Sequence, residues 1–141
     1  MKTGLTILLL AWFVMLASCT HEPAHQISML GQYELVGHDT AGRVAFTGTI
    51  SLISLEGNHL KGRCIITRKE YAPEGLFEKN GGCEGLIEGK KVSFDFAPSL
   101  DDGGLLLDGQ FVDSRITGTW RLDGFVTSEP LGKFEVVKKD K

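Results

Sequence analysis

The sequence predicts an all-β protein, a single small antiparallel meander that closes into an eight-stranded up-and-down barrel. Three observations carry this expectation. From residue 31 onward, apolar and polar side chains alternate, which is the pattern of a sheet with one dry face. Short turns rich in Gly, Asp and Asn separate the alternating runs. Glycine also recurs in the middle of runs on their apolar side, where it marks a bend or a close approach of backbone.

The first strand is expected over residues 32–37, with Tyr33 and Leu35 inward. The second, 43–55, puts Val44, Phe46, Gly48, Ile50 and Leu52 on one face and Ala45, Thr47, Thr49 and Ser51 on the other. Glu56-Gly57-Asn58 turns the chain into a third strand, 59–67, with Leu60 and Ile66 inward. The fourth, 82–88, carries Ile87 inward and ends at the turn Gly89-Lys90. In the fifth, 91–97, Val92, Phe94 and Phe96 oppose Lys91, Ser93 and Asp95. Asp101-Asp102-Gly103-Gly104 precedes a sixth strand, 105–112, with Leu107 and Phe111 inward, and Asp113-Ser114 follows it. In the seventh, 115–122, Ile116, Gly118, Trp120 and Leu122 oppose Arg115, Thr117, Thr119 and Arg121. Asp123-Gly124 opens the way to an eighth, 132–138, where Phe134 and Val136 oppose Lys133 and Glu135. No helix is expected in this part of the chain. Eight amphipathic strands on short turns suit closure, which leaves no unpaired edge.

The interior has two readings. Gly48, Gly62, Gly85, Gly109 and Gly118 recur in FTGTI, LKGRC, CEGLI, LDGQF and ITGTW. They either let a tightly coiled sheet curl or open a cavity. An eight-stranded barrel is filled by side chains or holds one small ligand. Almost no polar residue is expected inward, so a polar ligand would lack hydrogen-bond partners. A packed core and a pocket for something apolar, such as an acyl chain, remain.

A chain of 141 residues is one domain's worth, and 42% hydrophobic with 23% charged residues is ordinary for a globular protein. The formal net charge of -3 supplies no basic footprint for nucleic acid. At the N-terminus, Lys2 precedes an uncharged apolar run over residues 5–16. That run is shorter than the roughly 20 residues of a spanning helix and fits a signal-peptide core.

Leu16-Ala17-Ser18-Cys19 resembles the lipobox of bacterial lipoproteins. The resemblance implies a signal peptide over residues 1–18, cleavage before Cys19, and fatty acyl chains such as palmitate on that cysteine. The alternative is an ordinary signal peptide with a chance cysteine. Two or three acyl chains anchor firmly, since each buried methylene contributes about 0.8 kcal/mol. Membrane lipid, reached through acylated Cys19, is thus the first expected partner. Thr20 is not the Asp that retains such proteins at the inner membrane, which points to the outer membrane facing the periplasm in a diderm host. Residues 19–30 then form the lipidated cysteine and a polar tether, and 31–141 the barrel domain. With Cys19 acylated, Cys64 and Cys83 are an even pair in an oxidising compartment, which reads as a disulfide. It would close a loop of about 20 residues and stabilise by roughly 3 kcal/mol. A reactive thiol pair is the other reading, though the C-x-x-C spacing of redox sites is missing.

Motifs with chemical potential have plainer readings beside them. His21-Glu22-Pro23-Ala24-His25 matches H-E-x-x-H, whose zinc chemistry needs both imidazoles on one face of a helix. Pro23 breaks that helix, and a fortuitous match in a tether is preferred, so no metal site is expected. His38-Asp39 can support base catalysis only with a nucleophile, and the preferred reading is a turn whose Asp caps a backbone amide. Asp101-Asp102-Gly103-Gly104 lacks the spaced oxygen ligands of a calcium site. The long connection 68–81 (RKEYAPEGLFEKNG) carries Tyr71, Leu76 and Phe77. It is either a lid or partner-binding patch, or a loop folded over one barrel end with Phe77 as plug.

Ile116-Thr117-Gly118-Thr119-Trp120 and Leu35-Val36-Gly37-His38-Asp39-Thr40 are similar to strands of the avidin family, which folds as eight-stranded meander barrels. They stand here in the opposite order, and Trp120 is the sole tryptophan after the leader, so the likeness implies a barrel rather than biotin binding. Small lipocalin-like and lysozyme-inhibitor lipoproteins share this build. The expectation is a lipid-anchored, extracytoplasmic, non-enzymatic binding module without a cofactor. Its ligand would be apolar or an envelope component, with Tyr71, Phe77, Tyr33 and Trp120 as contacts. The alternative is a protein-interaction lipoprotein, an inhibitor or assembly partner, that has a solid core and works through loop 68–81. An enzyme would need polar residues clustered in a cleft.

Overall fold

The computed structural model describes residues 29–98, 104–124 and 129–140. Within them the chain forms eight strands and no helix: β1 (Gly31–Asp39), β2 (Val44–Glu56), β3 (His59–Arg68), β4 (Lys79–Glu88), β5 (Lys91–Asp95), β6 (Leu105–Val112), β7 (Arg115–Leu122) and β8 (Gly132–Lys138). Each strand pairs antiparallel with its sequence neighbours, and β8 returns to β1, so the sheet is a closed up-and-down barrel. The leader, Cys19, the tether with its two histidines, and Asp101 to Gly103 lie outside the described residues.

The alternation seen in the sequence becomes the wall of this barrel. Tyr33, Leu35, Phe46, Ile50, Leu60, Ile66, Ile87, Phe94, Phe96, Leu107, Ile116, Trp120 and Phe134 all point inward and keep at most 5% of their surface. Phe111, expected in the core, is only partly buried against it. Two irregularities depart from strict alternation, and both are in β2. Gly37 pairs with Phe46 but His38 pairs with Val44, so Ala45 is an extra residue opposite the β1 ladder. The parity therefore flips: Ala45 is buried and Val44, expected inward, is 37% exposed. A second shift leaves Ile53 unpaired between Leu52 and Ser54. Leu52 is buried, Leu55 packs against the core three residues later, and Ile53 faces out. Such bulges bend a strand and increase its twist, which a small closed barrel needs.

The mid-strand glycines are explained by what lies over them. A Cβ on Gly48, Gly62 or Gly118 would collide with the carbonyl oxygen of Ile65, Ser51 or Asp108 on the neighbouring strand. These are close approaches within a tightly coiled sheet, as the curvature reading expects. Elsewhere an aromatic ring occupies the glycine's space. The Phe46 ring lies on Gly37, and a Cβ on Gly109 would stand 2.7 Å from Phe134 Cζ. The inward glycines thus accommodate strand curvature and rings, not a void.

Across the barrel, Phe46 of β2 meets Trp120 of β7 edge to face, with ring centroids 5.2 Å apart and planes at 84°. Strands β1 and β8 lie between these two in the wall. The contact is possible because the intervening wall presents Gly37 and Gly132 there. A Cβ on Gly132 would sit 2.6 Å from the indole nitrogen, and one on Gly37 would strike the Phe46 ring. Edge-to-face pairs at this spacing contribute about 0.5–1.5 kcal/mol beyond their burial.

Candidate functional site

Strand direction sorts the connections onto two ends. The turns β2–β3, β4–β5 and β6–β7 are tight and lie at the end where the chain enters at Gly31. The turn β1–β2 and the longer connections β3–β4, β5–β6 and β7–β8 lie at the opposite end, which we call the loop end.

At the loop end, Asp39 organises the β1–β2 turn. Its Oδ1 accepts the backbone N–H groups of Ala41 and Arg43, each at 2.9 Å, and its Oδ2 accepts Arg43 Nε at 2.8 Å. The Arg43 amide and then its guanidinium, against some desolvation, hold the Asp39 carboxyl below the usual carboxylate range. This is the capping arrangement expected of Asp39. The carboxylate is engaged by the turn and Arg43, so it does not stand as an orienter for His38.

The same Arg43 guanidinium covers the Tyr71 ring, 4.3 Å from its centroid. An arginine over a tyrosine face is attracted by the ring quadrupole and contributes about 0.5–1 kcal/mol at an exposed site. Arg68 tethers the other side of the loop by donating from Nη2 to the carbonyls of Pro73, at 3.2 Å, and Ala72, at 3.4 Å. Lys69 N–H donates to Ala45 O at 2.9 Å, and Ala72 N–H to Lys69 O at 3.0 Å. Gly75, at φ 89°, completes a turn in which Leu76 N–H reaches Pro73 O. That turn drives Leu76, and not Phe77, into the barrel. Leu76 is 1% exposed, while Phe77 stands 69% exposed and Tyr71 44%. Leucine therefore takes the plug role that one reading gave Phe77, and the two aromatics form a surface on a loop held by these ties.

Tyr33 and Trp120, the other expected contacts, belong to the core. Tyr33 is fully buried and its hydroxyl donates to Met29 O at 2.6 Å. Burial pushes its phenol up to about 12. Trp120 is 1% exposed, and its indole N–H donates to His38 O at 2.8 Å. Neither offers a face to a ligand or partner.

Cys64 and Cys83 are also inward, on β3 and β4, and are buried beside one another. Both are free thiols in this structure, so the expected disulfide is not formed in it. Shallow depressions mark the outer wall among the described residues. One, of about 470 Å³, runs from His38 and Thr40 to Pro130 and Lys133 at the loop end. Another, of about 600 Å³, lies over β4 to β7 between Lys91, Asp108, Gln110 and Thr117. Among the described residues, no group of three or more His, Cys, Asp or Glu is placed to hold a metal ion.

No known protein family and no curated protein matches the chain. Among solved structures, the crystal structure of a point mutant of fluorescent protein UnaG aligns over 82% of this chain and 99% of its own. Its TM-score is 0.46 at 8% identity.

Proposed function

We propose that this chain is a membrane-anchored, non-enzymatic binding module that recognises another component of the cell envelope through the loop end of its barrel. The carrying observation is the edge-to-face contact of Phe46 and Trp120 across the lumen. Two strands that are not neighbours touch through their side chains, and the rings and aliphatic groups around them keep only a few per cent of their surface. An apolar ligand inside the barrel would have to part those rings. A solid core leaves the outer surface as the place of recognition.

On that surface the loop end has the attributes of a binding face. Tyr71 and Phe77 are exposed aromatics, the class enriched at interface hot spots. Arg43, Arg68 and the buried Leu76 hold their loop in place before any partner arrives. Preorganisation lowers the ordering cost of association. The chain enters the barrel at the end opposite this loop.

The test is site-specific photocrosslinking in intact cells, with the crosslinker placed at Glu74 beside the aromatics. One discrete adduct is expected, lost in Tyr71→Ser/Phe77→Ser and retained in Ile53→Ser, which alters an exposed apolar residue near the other end. An adduct indifferent to the double substitution, or tight co-purification of a fatty acid from the native protein, contradicts the proposal.

A further inference from the structure

Two buried nucleophiles have no part in the loop-end surface. Cys64 opposes Gly81 across the β3–β4 ladder, and Cys83 opposes Gly62. Opposed residues share a face, so the inner wall carries a square of four positions with sulfurs on one diagonal and glycines on the other. Diagonal neighbours in an antiparallel pair are about 7–8 Å apart at Cα and closer at Cβ, and a disulfide takes Cα atoms within about 7 Å, so closing one here draws β3 and β4 slightly together. The residues opposite the cysteines have no side chains. Both cysteines are buried on this inner face, close enough to perturb each other's ionisation. Gly62 cannot change, since a Cβ there would collide with Ser51 O. The pair ionises unequally. Cys83, helped by Lys79 and the Gly81 amide, holds Cys64 below the usual thiol range despite burial. Cys64, with burial, pushes Cys83 up.

We propose that Cys64 and Cys83 are oxidised to a disulfide by a small-molecule or protein disulfide donor, joining β3 to β4 under the Tyr71–Phe77 loop. The Cys64 thiolate attacks one sulfur of the donor RSSR, forming a mixed disulfide and releasing RS⁻. Cys83 gives up its proton to RS⁻, and its sulfur then attacks the Cys64 sulfur and expels the second RS⁻. The protein loses two hydrogens and the donor becomes two RSH. Both sulfurs are closed off once the barrel is packed, at 1% and 2% exposure, so the bond forms while the β3–β4 hairpin is paired and the barrel still open. Once formed, it is shielded from soluble reductants.

The test uses the full chain taken from its native membrane in detergent, with free thiols trapped by N-ethylmaleimide under denaturing conditions. Trypsin then cuts after Arg63, Arg68, Lys79 and Lys90, placing the two cysteines on separate peptides, 64–68 and 80–90. The expected result is these peptides joined in at least nine-tenths of the molecules, with separation on reduction. A second sample is reduced, unfolded and refolded with oxidised glutathione, and the same junction is expected to return. Maleimide on both peptides in the native sample, or glutathione on both after refolding, overturns the proposal. It stands independently of the loop-end reading, because the linkage is read whether or not a partner is found.

Discussion

Replacing Leu107 by Ala tests whether the barrel is filled. Leu107 is fully buried on β6, between Phe94 of β5 and Trp120 of β7 in the ladder. In a packed interior, removing its terminal carbons costs their transfer free energy and leaves a void that the rings cannot close. Leu→Ala changes of this kind cost about 2–5 kcal/mol. The upper half of that range applies, because Trp120 is pinned by its bond to His38 O and by Phe46, and cannot slump into the space. About 3.5–5 kcal/mol in a domain of roughly a hundred residues lowers the melting midpoint by about 20 °C. In a hollow, solvent-filled barrel Leu107 would already face water, so the same change removes little burial and costs below about 1 kcal/mol. Urea unfolding of the two proteins, followed by Trp120 fluorescence, separates the cases. A loss under about 1 kcal/mol with an unchanged slope would refute the packed interior.

Other expectations follow from single contacts. Trp120→Phe keeps most of the ring but leaves His38 O without its indole donor, so a loss of about 1–3 kcal/mol is expected in urea unfolding followed by far-UV circular dichroism. Gly118→Ala sets a methyl against the Asp108 carbonyl in the β6–β7 ladder. It should cost more than about 2 kcal/mol, against about 1 kcal/mol or less for Gly57→Ala, where only the positive φ opposes the change. Tyr33 gives a pH signature. Its phenol titrates near 12 in the folded protein against 10.0 unfolded, so folding holds its proton. That contribution is complete below pH 10 and is lost as pH rises from 10 to 12, so the midpoint should fall over that window in wild type and less so in Tyr33→Phe. For the disulfide, reductant added during refolding should lower the midpoint by roughly 10 °C, the entropic worth of a loop of about 20 residues. Cys64→Ser should abolish that difference.

Most of the barrel was legible because its strands are amphipathic with period 2, and that period is visible in residues such as Val92, Phe94 and Phe96 against Lys91, Ser93 and Asp95. The bulges at Ala45 and Ile53 were not. A bulge here inserts one ordinary apolar residue, and only the pairing register reveals that Val44 has turned outward and Ala45 inward. The glycines were seen as points of curvature, but which ring would cover each depends on cross-barrel geometry that no local window contains. Loop 68–81 was recognisable by its length and aromatics. The choice between Leu76 and Phe77 as plug was set by the Pro73–Gly75 turn, whose φ at Gly75 fixes where the next side chain points. Alternation places Tyr33 and Trp120 inward, where a hollow barrel would make them contacts for an apolar ligand and a filled one makes them core. The polar tip of each is satisfied internally, by Met29 O and His38 O, and that is a tertiary fact.

The measurement that bears most directly on a solid barrel with an external binding face is a crystal structure of the native protein under xenon pressure. Phe46 and Trp120 should remain in edge contact with no xenon between them. Xenon, or elongated acyl density, separating those two rings would contradict it.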